Sequence, residues 1–261
     1  MGLAAPVIDE SVDATPKPID PLFRRASLVL ALLLPLSIGN NVWASADAAA
    51  GVSPAAGLAR LREGNARYCA GTASRPHQDS LRRAEVAAGQ QPFAAVLSCS
   101  DSRVPPEVVF DQGLGDLFVI RVAGNVAGVD ETGSIDYGVE HLGPRLLVVL
   151  GHSSCGAVKA AVDGGMLDGS LKELIAAVRP AAERARQANP GITGNPLMAA
   201  AVEANVWLSI ETLFHRSDAV RTHVAQGQLQ VVGAIYDLAS GQVRWLGEHP
   251  EQKRLLAAAA P

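Results

Sequence analysis

Two short segments hold the residue types that can do chemistry. Cys99-Ser100-Asp101-Ser102-Arg103 closes one apolar run, and His152-Ser153-Ser154-Cys155 closes another. The runs, Pro92 to Leu97 and Arg145 to Leu150, are continuous and of strand length, as suits strands covered on both faces. In a parallel sheet such strands open on one carboxyl edge, so two thiols, one imidazole and one carboxylate are offered to a common point. Thiolate and imidazole suit zinc, and a catalytic zinc site takes three protein ligands and leaves a fourth position for water or substrate. Cys99, His152 and Cys155 meet that count. The spacing His152-x-x-Cys155 lets both side chains converge from a turn and the first turn of a helix, whose dipole favours a thiolate. Softer metals are also admissible, as are two buried thiols or a disulfide.

Asp101 can be a fourth ligand, or it can stand back and accept a hydrogen bond from a metal-bound water. Arg103 can grip that carboxylate bidentately and keep it ionised, although an ordinary ion pair is the plain alternative.

These residues, continued by Val104-Pro105-Pro106-Glu107 and by Gly156, resemble the β-class carbonic anhydrases, and the resemblance runs from about Leu58 to Leu246. It implies that Cys99, His152 and Cys155 hold one zinc ion per chain. It implies further that Asp101 and Arg103 orient zinc-bound hydroxide, which attacks carbon dioxide to give bicarbonate and a proton. In an inactive closed form Asp101 would itself bind the zinc. Gln90 matches a glutamine that hydrogen-bonds substrate, and Phe118, Ala123, Tyr137 and Gly156 match the substrate pocket. The family shares this pocket between subunits, which implies a homodimer or a dimer of dimers. One position departs: members regulated by bicarbonate at a second site have tryptophan three residues before the first cysteine, and this chain has Val96 there. That argues against such a site, although Arg121 matches its arginine. Two alternatives share the ligands: a hydrolase of carbon disulfide or carbonyl sulfide on the same scaffold, and a non-catalytic zinc or thiol protein. Two thiolates cancel the charge of a zinc dication, so bound water should be harder to ionise than over three imidazoles. Apolar residues at Phe118, Val122 and Ala123 suit an uncharged linear gas.

The remaining elements must position these segments. Ser53-Pro54 reads as an N-cap and first helical residue, opening a helix to about Gly71 with Leu58, Leu61 and Tyr68 on one face. This helix is expected on a neighbouring subunit or at the sheet edge, with Cys69 at its end as a small, partly buried hydrophobe. A polar arm from Thr72 to Ser80 precedes a short helix from Leu81 to Gly89. Strands are expected at 92–97, 117–122 and 145–150, with helices at 131–142, 155–162, 171–187 and from 196 to about 225. Gly151 is expected to make a sharp strand-to-helix turn. Two further strands, 229–237 and 242–246, are joined by Ser240-Gly241 as a hairpin. Alternating strands and helices specify an α/β fold with a mostly parallel central sheet flanked by helices and a strand hairpin at the C-terminal end. The alanine-rich tail from Leu255 to Ala260 is expected to fray.

The chain has 261 residues, 48% hydrophobic and 18% charged, with a net charge of -4, the balance of a globular protein. Without a basic stripe, nucleic acid is not an expected partner, and three cysteines do not make a disulfide framework. Arg24-Arg25, an apolar run from Ala26 to Leu36, and Ala44-Ser45-Ala46 read as an export signal resembling the twin-arginine type. The run is shorter than the roughly 20 residues of a membrane span, so no stable anchor is expected after cleavage. The expectation is a cleaved leader at 1–46 and a single exported, periplasmic catalytic domain at 47–261. An uncleaved N-terminal anchor is the alternative.

Overall fold

The computed structural model describes residues 51–257, so the expected leader lies outside the described residues. Five strands form one sheet: β1 (Ala94–Ser98), β2 (Leu117–Arg121), β3 (Leu146–His152), β4 (Gln230–Tyr236) and β5 (Val243–Gly247), in the order β2-β1-β3-β4-β5. The first four run parallel, and β5 returns antiparallel to β4. Every residue of β1 and β3 is buried, as their unbroken aliphatic runs require.

Residues of alternate parity serve two cores. Ala95, Leu97, Leu147, Val149 and Val231 face one layer, and Ala94, Val96, Leu146, Val148 and Val232 face the other. The first layer is built by α5 (Gly156–Asp163), α6 (Gly169–Ala188) and α7 (Gly194–Arg216), with α8 (Asp218–Ala225) following. Ile175, Val178 and Ala182 of α6 and Val202, Val206, Ile210 and Leu213 of α7 recur at helical spacing and enter this core. By length and composition α7 could cross a membrane, but half of its apolar window is buried within the fold.

The second layer corrects one expectation. Helix α1 (Pro54–Cys69), capped by the Ser53 hydroxyl accepting from Ala56 N–H at 3.3 Å, lies on a face of its own sheet, with Leu61 fully buried. Asn65 explains the placement. Its Nδ2 donates to the carbonyls of Val109 (3.1 Å) and Gly241 (2.9 Å), and its Oδ1 accepts from Val243 N–H (2.9 Å), tying the helix to the hairpin. Cys69, at the far end, is exposed rather than partly buried.

Three further readings are adjusted. Gly151 is not a turn but a residue of β3, where a Cβ would stand 2.7 Å from Val206 Cγ2; glycine lets α7 approach the sheet. The helix expected at 131–142 is α4 (Val129–Tyr137) followed by a π turn, Gly138–Leu142. The end of the described chain is a helix, α9 (Gln252–Ala257), because Leu255 and Leu256 pack against the first core.

The polar arm is fastened by two buried aspartates from the loop after α3 (Pro106–Val109). Asp111 accepts from Ser74 N–H, Ser74 Oγ, Arg75 N–H and Arg67 Nε, and Asp116 meets His77 Nδ1 at 2.8 Å. Burial opposes ionisation of Asp111, but the Ser74 amide, the Arg67 guanidinium, the Arg75 amide and the Ser74 hydroxyl outweigh it and lower its pKa to about 2. A carboxyl lowered from 3.8 on folding stabilises the fold above that value, and the benefit is lost as pH falls through the folded value. Asp111→Asn should therefore cost about 2 kcal/mol near neutrality, by analogy with other hydrogen bonds to charged groups. Chemical denaturation across the acid range should show the penalty shrinking toward pH 2; a penalty independent of pH would remove the charge from the account.

Candidate metal centre

The carboxyl ends of β1 and β3 deliver the two segments side by side, since the strands pair in register with Ser98 opposite Leu150. Cys99 follows β1 directly. His152 is the last residue of β3, and Cys155 is the N-cap of α5. Between them Ser154 takes a left-handed φ of 55°, and the Ser153 hydroxyl accepts from Leu238 N–H at 2.9 Å, so the short turn is pinned to the chain after β4.

The three donor atoms of Cys99, His152 and Cys155 lie within 4.8 Å of one another, and all three residues are buried. The sulfurs are 4.0 Å apart. Two sulfurs each about 2.3 Å from one tetrahedral ion would stand about 3.8 Å apart, whereas a disulfide needs about 2.05 Å. His152 Nδ1 lies 2.9 Å from the Ser153 carbonyl, which assigns the proton to that nitrogen and leaves Nε2 with its lone pair free. Nε2 is buried with no hydrogen-bond partner. An orphaned imidazole nitrogen facing two thiols is what a soft-to-borderline divalent cation satisfies, so the residues fit zinc.

The site favours a thiolate. Cys99 is lowered to about 4 by its hydrogen bond with Cys155, against burial, with His152 and the amides of Gly124 and Asp101 adding to the effect. Cys155 is pushed up by the same contact, because its own S–H donates to the Cys99 thiolate, and by burial. Gly124 N–H donates to Cys99 Sγ at 3.3 Å.

Asp101 is turned to Arg103. Oδ1 accepts from Arg103 N–H (3.0 Å) and Nε (2.9 Å), and Oδ2 accepts from Nη2 (2.7 Å). The Arg103 side chain, opposed by partial burial, holds the Asp101 carboxyl well below the usual carboxylate range. Oδ2 also lies 3.8 Å from His152 Nε2. Arg121, noted in the sequence only for a regulatory match, has a local role: Nε donates to the Cys99 carbonyl (2.9 Å) and Nη2 to the Asp101 carbonyl (2.6 Å). Nothing in the spacing of Arg121 points to this, because it depends on β2 pairing with β1.

The pocket positions divide into two groups. Ala123 and Gly156 lie at the cluster: Ser100 N–H donates to the Val122 carbonyl at 3.2 Å, bringing the 122–125 turn against the Cys99 loop, and Gly156 adjoins Cys155. Gln90, Phe118 and Tyr137 do not converge on the cluster within one chain. Gln90 is exposed before the amino end of β1, while Cys99 lies beyond its carboxyl end. Phe118 lies on the edge strand β2, paired with Ala95, and packs near Tyr137, their rings 6.2 Å apart, with Tyr137 half exposed. A cleft of about 800 Å³, lined by Arg184, Glu211, His215 and Arg254 among others, includes none of these groups.

The family model for carbonic anhydrase matches residues 94–243. Carbonic anhydrase 2 of Mycobacterium tuberculosis is 40% identical over 194 residues, 73% of this chain and 91% of that one. The chain belongs to the β-class carbonic anhydrases. A carbonic anhydrase of Mycolicibacterium smegmatis is also 40% identical, over 73% of this chain and 92% of the relative. Among solved structures, a β-carbonic anhydrase of Aspergillus fumigatus superposes with a TM-score of 0.63 at 30% identity, covering 79% of this chain and 98% of that one. Tetrameric β-carbonic anhydrases of Sordaria macrospora give 0.60 at 26% identity, over 73% and 96%.

Replacing one donor tests the ligand set. Cys155→Ser should weaken zinc binding by at least tenfold in a chelator competition, since a thiolate is exchanged for a poor ligand. A variant that still holds one zinc per chain with unaltered affinity would refute it.

Proposed function

We propose that this chain catalyses the reversible hydration of carbon dioxide to bicarbonate and a proton, with zinc held by Cys99, His152 and Cys155. The observation that carries the reading is the pairing of a free His152 Nε2 between two buried thiols with an Arg-held carboxylate 3.8 Å away. A purely structural four-ligand site has no use for such a carboxylate.

When bound, zinc supplies Lewis acidity that makes a water nucleophile available near neutral pH. The chain's residues do the rest. With the ion held, Cys99 and Cys155 as thiolates would neutralise its charge, and His152, fixed by the Ser153 carbonyl, presents Nε2 in one orientation. Arg103 keeps Asp101 ionised and stops it from rotating, so that Oδ2 retains lone-pair capacity toward the site. That oxygen accepts a hydrogen bond from the nucleophile and fixes its remaining lone pair toward the carbon of the substrate. Arg121 holds the carbonyls on either side of Ser100, so the metal donor and the orienting carboxylate move as one unit. Val122 and Ala123 give the adjoining wall an apolar character suited to a gas.

A complete pocket would need a second copy. Gln90, Phe118 and Tyr137 lie away from the chain's own cluster, and β2 is an edge strand with exposed Val129 and Tyr137 near it. A homodimer, or the dimer of dimers that the tetrameric Sordaria macrospora relatives suggest, would bring these residues to a partner's metal centre. The leader at 1–46, with its paired arginines, supports export to the periplasm and a mature domain beginning near Asp47.

Stopped-flow hydration of carbon dioxide tests the activity, with carbon disulfide and carbonyl sulfide as competing substrates. Asp101→Asn should keep its zinc while hydration falls by about 10²-fold or more, within the range for lost orientation and acceptor function. Full activity in that variant would overturn the assigned role, and turnover of the sulfur compounds alone would overturn the substrate. Native mass spectrometry of protein taken from producing cells should give dimers or tetramers of chains starting near Asp47; monomers, or chains that keep the leader, would contradict this arrangement.

A further inference from the structure

Asn205 stands in the middle of α7 on the face that covers the sheet, one of two buried polar residues among Ala201, Val202, Val206, Ile210 and Leu213. It is 1% exposed, and its Oδ1 has no protein partner. A leucine here would avoid the cost of burying an amide, so the amide has some other use. Its Nδ2 supplies one: it donates to the Gly124 carbonyl at 2.6 Å, and Gly124 N–H in turn donates to Cys99 Sγ at 3.3 Å.

We propose that Asn205 is a positioning residue for the metal centre, acting through Gly124 to aim a backbone N–H at the Cys99 sulfur. The reading rests on Cys99 being a zinc ligand. The turn Ala123–Asn125 needs such an anchor. Gly124 has φ +77° and ψ 14°, and Asn125 follows at φ 46°, so two successive residues occupy the left-handed region. Glycine crosses between backbone basins at little cost, so local preference does not hold its amide in one direction. A Cβ at Gly124 would crowd Ala157 at 3.1 Å and Val178 at 3.2 Å, and the φ of +77° favours glycine, so the orientation is left to tertiary contacts. Asn205 holds the peptide unit after Gly124, and Asn125 N–H bonds to the Val122 carbonyl at 3.0 Å, so the turn is held on both sides of Gly124 and its N–H keeps its direction. An N–H···S bond stabilises the sulfur lone pairs and holds the Cys99 side chain facing the other two donors, so its loss both raises those lone pairs in energy and loosens the ligand. Groups that orient ligands in this way typically change metal affinity by about 10- to 100-fold when removed.

The test uses the full chain loaded with zinc or with cobalt(II), whose sulfur-to-metal charge-transfer absorption reports on thiolate donation. Asn205→Leu keeps the volume and removes the donor. Its cobalt band should move to longer wavelength, and zinc should be lost to a competing chelator at about 10-fold lower concentration or less. Ser209→Ala, one turn along the same face, removes a buried hydroxyl that reaches only the Asn205 carbonyl and should change neither. Should the leucine variant fail to fold, Asn205→Ala gives the same two measurements. An unshifted band with unchanged zinc affinity in a folded variant would refute the proposal whatever the melting temperature. Absence of any thiolate-to-cobalt band in the unaltered protein would overturn both this inference and the metal-centre reading beneath it.

Discussion

The structure depends on burying two thiols and an imidazole within 4.8 Å of one another. Such groups are costly in an apolar interior unless their protons and lone pairs are provided for. The surroundings of this cluster make that provision from three directions. The Ser153 carbonyl accepts a hydrogen bond from His152 Nδ1, the Gly124 amide faces Cys99, and the amino end of α5 lies beside Cys155. A divalent cation completes the balance, which is why one imidazole nitrogen is left facing the sulfurs.

The orienting carboxylate is handled differently. Asp101 and Arg103 are two residues apart and grip each other through three hydrogen bonds, so local chain geometry settles their pairing. What the fold adds is placement. Arg121, from the neighbouring strand, holds the carbonyls of Cys99 and Asp101 and thereby sets the carboxylate at a fixed distance from His152. The guanidinium–carboxylate pair is partly solvated and local, whereas the ligand cluster is buried and long-range, and each is stabilised by the means available in its own surroundings.

Much of the fold could be read from the chain. The aliphatic runs at 94–97 and 146–150 are strands because only a sheet covered on both faces buries every successive residue. Ser53-Pro54 opens a helix because both residues satisfy a helix start locally. The misreadings share another cause. Gly151 was expected to turn the chain, yet it serves the close approach of α7, a contact with a residue more than fifty positions away. The place of α1 is not legible because Asn65, an unremarkable polar residue in sequence, bonds to two segments far away in the chain, at Val109 and at Gly241 and Val243. Of the tail expected to fray, Leu255 and Leu256 are instead helical and packed, because they find their core only after the sheet and α7 exist, and 258–260 lie outside the described residues.

By itself the sequence determined the donor set, Cys99, His152 and Cys155, the dyad of Asp101 and Arg103, and a parallel sheet to present them. These follow from residue chemistry and short-range periodicity, which do not need the fold to be expressed. Only the tertiary structure decided the distances among the donors, the direction of the Asp101 carboxylate, and the roles of Arg121 and Asn205. It also separated Gln90, Phe118 and Tyr137 from the cluster of their own chain. The physical reason is that hydrogen-bond direction and close approach depend on strand register and helix placement, and these arise from contacts between residues far apart in the chain.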